Sequence, residues 1–139
     1  MIKCLVVKAM NIQEINVITL AYLGDAVYEL YVRDFLIKKG IAKVIDLQKE
    51  AIKFVSAKSQ SNIVNYLIEN NYLNEDELTI FKRGRNYKRE SHPKNTDIIT
   101  YKEATGFEAL FGYLYLNNYK DRISYLLDII FRRQYEKDS

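Results

Sequence analysis

Apolar residues recur at three- and four-residue spacing through most of the chain, the period of helices that bury one face. The clearest case runs from about Asn11 to Lys39, where Leu20, Leu23, Val27, Leu30 and Tyr31 form one stripe. Lys38 and Lys39 followed by Gly40 give that helix a natural stop, and Gly24 is a point at which it could divide. Asp46 is a candidate cap for the next helical stretch. That stretch continues through residues 50–57 into SQSNIVNYLIENN, with Ile52, Val55, Ile63, Tyr66 and Leu67 toward a core and a break near 59–62. Asn74 caps a shorter helix whose acidic start (Glu75, Asp76, Glu77) and basic end (Lys82, Arg83) both suit the helix dipole. Asp97 or Thr100 opens a strongly apolar helix through YKEATGFEALFGYLYL. Ile123, Leu126, Leu127, Ile130 and Phe131 mark a last one from about 120 to 134. Residues 1–9 read as a short strand without an evident partner, or as a frayed tail. No internal repeat or linker interrupts the series, so the pattern predicts one all-α domain over 1–139.

One stretch lacks the period. KRGRNYKRESHPKN, residues 82–95, contains the only proline and reads as a surface loop. Its six basic residues, Lys82, Arg83, Arg85, Lys88, Arg89 and Lys94, face Glu90 alone, a local surplus larger than the +3 of the whole chain. Everything outside it is therefore net negative. Positive groups around Gly84, with Asn86, Tyr87 and Ser91 as hydrogen-bonding neighbours, suit contacts to phosphate and sugar. The plain alternative is a solvated turn in which Tyr87 and His92 pack or bond locally.

Two carboxylates sit inside the apolar helices. Asp25 follows Gly24 just off the first stripe, and Glu108 lies in TGFEALFGYLYL with Ala104, Thr105, Phe111 and Gly112 one turn away. A charge near a core is costly unless something pairs with it. Asp25 could be an N-cap, and Glu108 could meet one of the 21 basic residues. Alternatively the two share a divalent cation, with water completing the octahedron of Mg²⁺, which would activate water and polarise a phosphate. Glu29 lies one turn before Arg33, an i,i+4 pair.

Composition removes other chemistries. With 48% apolar and 28% charged residues the chain is an ordinary globular protein, although 12 tyrosines and no tryptophan place many aromatic rings with a polar tip at helix ends and contact surfaces. Cys4 alone makes no internal disulfide, and His92 alone leaves no His/Cys set for zinc. MIKCLVVKAM is too short and too charged for a secretory signal, and no stretch is apolar enough to span a membrane, so a reducing cytoplasm is the expected compartment. The glycines make neither GxGxxG nor a P-loop, and no nucleophile elbow appears.

LAYLGDAVYELYVR resembles the signature helix of the ribonuclease III catalytic domain, and TGFEALFGYLYL resembles its second acidic helix. FVSAKSQ, KRGRN and PKN, in that order between them, resemble the short subgroup called Mini-ribonuclease III, which lacks a double-stranded-RNA-binding domain. The likeness covers about residues 15–130. It implies an all-α, homodimeric helical bundle that hydrolyses double-stranded RNA with Mg²⁺, with Mn²⁺ as the alternative ion. It further implies 5′-phosphate and 3′-hydroxyl ends, and a role in maturing the precursor of large-subunit (23S) ribosomal RNA. Asp25 and Glu108 correspond to metal-binding catalytic carboxylates. Lys82, Arg83, Arg85, Asn86, Lys88, Arg89 and Lys94 would grip RNA in place of the missing domain. The larger enzymes carry further acids where this chain has Ile18, Ala21 and Thr105, so those roles are not carried over. The rival is a non-catalytic RNA-binding or ribosome-assembly module on the same fold; a purely structural helical protein and a DNA-binding protein are less favoured.

Overall fold

In a computed structural model, which describes residues 11–88 and 97–138, the order is a 3₁₀ turn Ile12–Glu14 followed by α1 Val17–Lys38, α2 Val44–Val55, α3 Ala57–Glu69, α4 Glu75–Arg85, α5 Ile98–Leu116 and α6 Lys120–Asp138. The described residues contain helices and no strand, as the periodicity predicts. The expectation of a strand over 1–9 lies outside them.

Helix α5 is the centre. Residues 104–107 and 109–114 are buried almost without interruption, because α1, α3, α4 and α6 pack around it. A helix apolar all round needs neighbours on several sides. Around it Leu20, Tyr28, Val32, Phe54, Leu67, Phe81, Phe107, Phe111, Leu126 and Ile130 form one continuous core. Phe131 of α6 stacks on Phe35 of α1 at 3.9 Å between ring centres, which docks the last helix.

Local chemistry sets the ends. Asn16 accepts from the Ile18 amide (2.8 Å) to start α1, and Asp97, not Thr100, starts α5 by accepting from the Thr100 amide (3.3 Å). Gly40 (φ 104°), Asn71 (φ 58°) and Asn118 (φ 59°) adopt the left-handed conformation just beyond α1, α3 and α5. Five expectations change. Helix α1 runs through Gly24 undivided; α2 begins at Val44, so Asp46 lies in its first turn rather than capping it. The break falls at Ser56, not 59–62, because Ser56 ends α2 and caps α3 through the Ser59 amide (3.1 Å). Leu30 points outward, 66% exposed, leaving Leu20 and Val27 as the buried part of its stripe, and Ile52 of α2, expected toward the core, is exposed as well.

Among the described residues the deeply buried carboxylate is neither Asp25 nor Glu108 but Glu77, which is 0% exposed. Its oxygens accept from Arg122 at 2.6 and 2.9 Å, and one also closes a capping box with the Asn74 amide (2.9 Å). Arg122 in turn donates to the Tyr72 carbonyl (2.9 Å), and the bonds to Glu77 raise its pKa. Arg122→Ala strands a buried charge, and urea denaturation should show a loss of about 3 kcal/mol; a loss under about 1 kcal/mol would mark the pair as peripheral.

Candidate active site

The two helices that carry Asp25 and Glu108 cross backbone to backbone. Gly24 lies against the Glu108 carbonyl, and Gly112 lies against the Leu20 carbonyl. A methyl group at either glycine would overlap the opposing carbonyl oxygen. The approach is reciprocal, one glycine from each helix, and it is the reason that both residues must be glycine. It brings Asp25, the next residue along α1, and Glu108 to a single crossing.

Asp25 is exposed there and Glu108 half-buried. Asp25 lies in the middle of α1 and so is no N-cap. Glu29 pairs with Arg33 at 3.1 Å, the i,i+4 bridge expected from spacing. Among the described residues no group of three or more His, Cys, Asp or Glu forms. The acids on the two helices at this crossing, Asp25 and Glu108, carry carboxylate oxygens, the hard donor type that Mg²⁺ accepts while keeping several waters.

A second glycine contact places the basic residues. Gly84 of α4 meets Gly106 of α5, where an added methyl would lie 2.8 Å from the opposing Cα, and Gly106 in turn faces the Phe81 carbonyl. The end of α4 thus docks onto α5 two residues before Glu108. Helix α4 extends to Arg85, so Lys82, Arg83 and Arg85 form its last turn rather than part of a loop. Arg85 lies over the Phe81 ring (5.5 Å) and bonds the exposed Asn86 side chain (3.1 Å), while Lys82 and Lys88 are exposed. Arg83 is half-buried and donates to the Ile15 carbonyl (3.3 Å), tying the segment before α1 to α4. Arg89, Ser91, His92 and Lys94 lie outside the described residues.

The ribonuclease III domain family matches residues 18–119, a span that contains both glycine contacts and both carboxylates. The chain belongs to the ribonuclease III family. Membership makes it an endoribonuclease of the ribonuclease III type. The chain is 48% identical over 116 residues to Mini-ribonuclease 3 of Brevibacillus brevis, covering 84% of this chain and 85% of that protein. It is 42% identical over 116 residues to Mini-ribonuclease 3 of Enterococcus faecalis, covering 84% and 88%. A crystal structure of a Fusobacterium nucleatum protein has the same fold, with a TM-score of 0.79 and 32% identity over 91% of this chain and 99% of that one. Within the ribonuclease III frame, the three positions that lack acids are occupied by structure: Ala21 and Thr105 are buried, Ile18 is half-buried, and the Thr105 hydroxyl donates to the Tyr101 carbonyl (3.0 Å).

Sequence reasoning missed three features of the site. The Gly24–Gly112 reciprocity was visible as a glycine before one acid and a glycine one turn after the other. Tyr28, fully buried beside the crossing, carried no separate signal among 12 tyrosines. Ser61, whose hydroxyl donates to Glu103 (3.0 Å), looked like an ordinary helix residue.

Proposed function

We propose that this ribonuclease III family member is a Mg²⁺-dependent endonuclease of double-stranded RNA that works as a homodimer and leaves 5′-phosphate and 3′-hydroxyl ends. The observation that supports the reading is the glycine crossing of α1 and α5, since Asp25 follows one of its glycines and Glu108 supplies the carbonyl that the same glycine meets. Asp25 and Glu108 would hold the ion; when bound, Mg²⁺ supplies acidified water and neutralises charge developing on the phosphate. The carboxylates also orient water for in-line attack, and the half-buried setting of Glu108 strengthens that field relative to bulk solvent.

Lys82, Arg85 and Lys88 hold backbone phosphates beside that centre, and Arg89 and Lys94 continue the same basic stretch in sequence. A grip of this kind selects A-form geometry more than sequence. Replacing Lys82, Arg85 and Lys88 together should flatten the salt dependence of duplex RNA binding by roughly one log–log unit per lost contact; an unchanged slope would make these residues a solvated turn.

The dimer reading rests on α1. Tyr22 (84% exposed), Leu30 (66%) and Ile37 (58%) turn apolar side chains outward on the side away from α5. A row of this kind on one helix needs a cover, and a second copy brings its own row. Two centres then cut two strands. Leu30→Glu should yield a monomer by sedimentation and lower cleavage; a stable dimer in that variant would place the interface elsewhere. The natural substrate we adopt is the large-subunit ribosomal RNA precursor. Depleting the protein should lengthen the ends of that RNA, and unchanged ends would point to another substrate.

A further inference from the structure

The glycine crossing brings α1 and α5 together but does not lock them. Gly24 and Gly112 present no side chains to interdigitate, so the contact fixes separation and leaves rotation and sliding of the two helices to other groups. Asp25 and Glu108 lie beside that contact, one on each helix, so rotation of either helix moves one carboxylate relative to the other.

The corner between α2 and α3 reaches both helices. The last carbonyls of α2 have no partner within their own helix. Gln60 donates to the Val55 carbonyl (3.3 Å), and Ser59 to the Ile52 carbonyl (3.1 Å). The Phe54 carbonyl is taken by the Tyr28 hydroxyl at 2.9 Å, from α1, one turn after Asp25. Burial raises the pKa of Tyr28 far above its ordinary value, so the hydroxyl remains a donor at any working pH. The Tyr28 ring meets Phe107 edge-on at 4.8 Å and Phe111 at 5.2 Å, and Phe107 immediately precedes Glu108. From the other side of the corner, Ser61 of α3 donates to Glu103 of α5 (3.0 Å), five residues before Glu108.

We propose that the segment FVSAKSQS, residues 54–61, is a positioning clamp for the two carboxylates. It holds α1 through Tyr28 and α5 through Ser61, and so fixes how Asp25 and Glu108 face one another across the crossing. This assigns a role to a motif that the catalytic chemistry leaves unused. The clamp rests on the reading of Asp25 and Glu108 as metal ligands, and its test separates the two.

Mn²⁺ titration of the RNA-free protein, followed by electron paramagnetic resonance of the free ion, reads the geometry of the pair without turnover. Tyr28→Phe keeps the ring and removes the bond to Phe54; Ser61→Ala removes the bond to Glu103. Each should raise the Mn²⁺ dissociation constant roughly tenfold, as loss of groups that orient metal ligands does. In Mg²⁺, kcat should fall by a similar factor while KM for a duplex stays within about twofold, because phosphate contacts are untouched. Ile130→Val, which loosens the core at α6, should leave both quantities unchanged. A Mn²⁺ constant within about twofold of the parent protein in either clamp variant, or an equal shift in Ile130→Val, overturns the clamp. Asp25→Asn should abolish the titration; if it does not, the ligand assignment fails and the clamp with it.

Discussion

Asp25→Asn and Glu108→Gln should each lower the rate of duplex RNA cleavage by on the order of 10³-fold or more, equivalent to about 4 kcal/mol of transition-state stabilisation. Both substitutions keep side-chain shape and remove the charge that attracts a cation. The exposure of Asp25 makes its replacement nearly neutral for folding, since an exposed polar side chain away from caps and cores contributes little. Unchanged circular dichroism and sedimentation alongside lost cleavage would separate chemistry from structure. Single-turnover assays at saturating enzyme are the appropriate readout, because weakened product release could otherwise mask the chemical step. Magnesium-dependent cutting at even a tenth of the parent rate in either variant would remove that carboxylate from the mechanism.

Gly24→Ala and Gly112→Ala should damage stability and activity together. Either methyl overlaps a backbone carbonyl of the facing helix, which cannot rotate away as a side chain can. The helices must part, at a cost of about 1–3 kcal/mol for forced overpacking and more if the core cannot follow. Displacing a reacting group by about 1 Å costs on the order of 10²-fold in rate, so a variant that still folds should cleave poorly even well below its melting temperature. Melting curves and kcat at a temperature where both variants are folded give the comparison. Parent-like activity in a folded Gly112→Ala protein would mean that the helix separation fixed by the crossing does not matter to the carboxylates.

The elements themselves were legible, for a physical reason: the amphipathic helices have one buried face, and their caps use Asn, Asp and Gly where hydrogen bonding and left-handed backbone require them. Asn74 and Gly40 behave as their residue types dictate. Helix α5 was legible as a helix but not in its neighbours, since a helix buried all round erases the period that would orient it. Leu30 was misplaced because apolarity alone cannot tell a core face from an outward one. The same ambiguity hid the exposure of Asp25. A carboxylate flanked by apolar residues looks costly until the helix is seen to turn it outward.

The basic stretch shows a different limit. Its charge was plain, but its first residues continue α4 because Phe81 and Gly84 pack onto α5, a tertiary contact that overrides the loop-like composition. Arg83 looks equivalent to Lys82 and Arg85 in sequence, yet it donates to the Ile15 carbonyl while Lys82 stays in solvent. Glu77 read only as dipole compensation at the start of α4, and its partner Arg122 lies 45 residues away. Long-range pairings of single charges leave no local trace.

The most direct test is incubation of the purified protein with an end-labelled, perfectly paired RNA duplex in Mg²⁺, in Mg²⁺ with excess EDTA, and with the single strands alone. The account predicts discrete cuts in both strands of the duplex with Mg²⁺, none with EDTA and none in the single strands. Cutting that survives EDTA would contradict the carboxylate-held metal, and duplex binding without any cutting would make the protein the non-catalytic module instead.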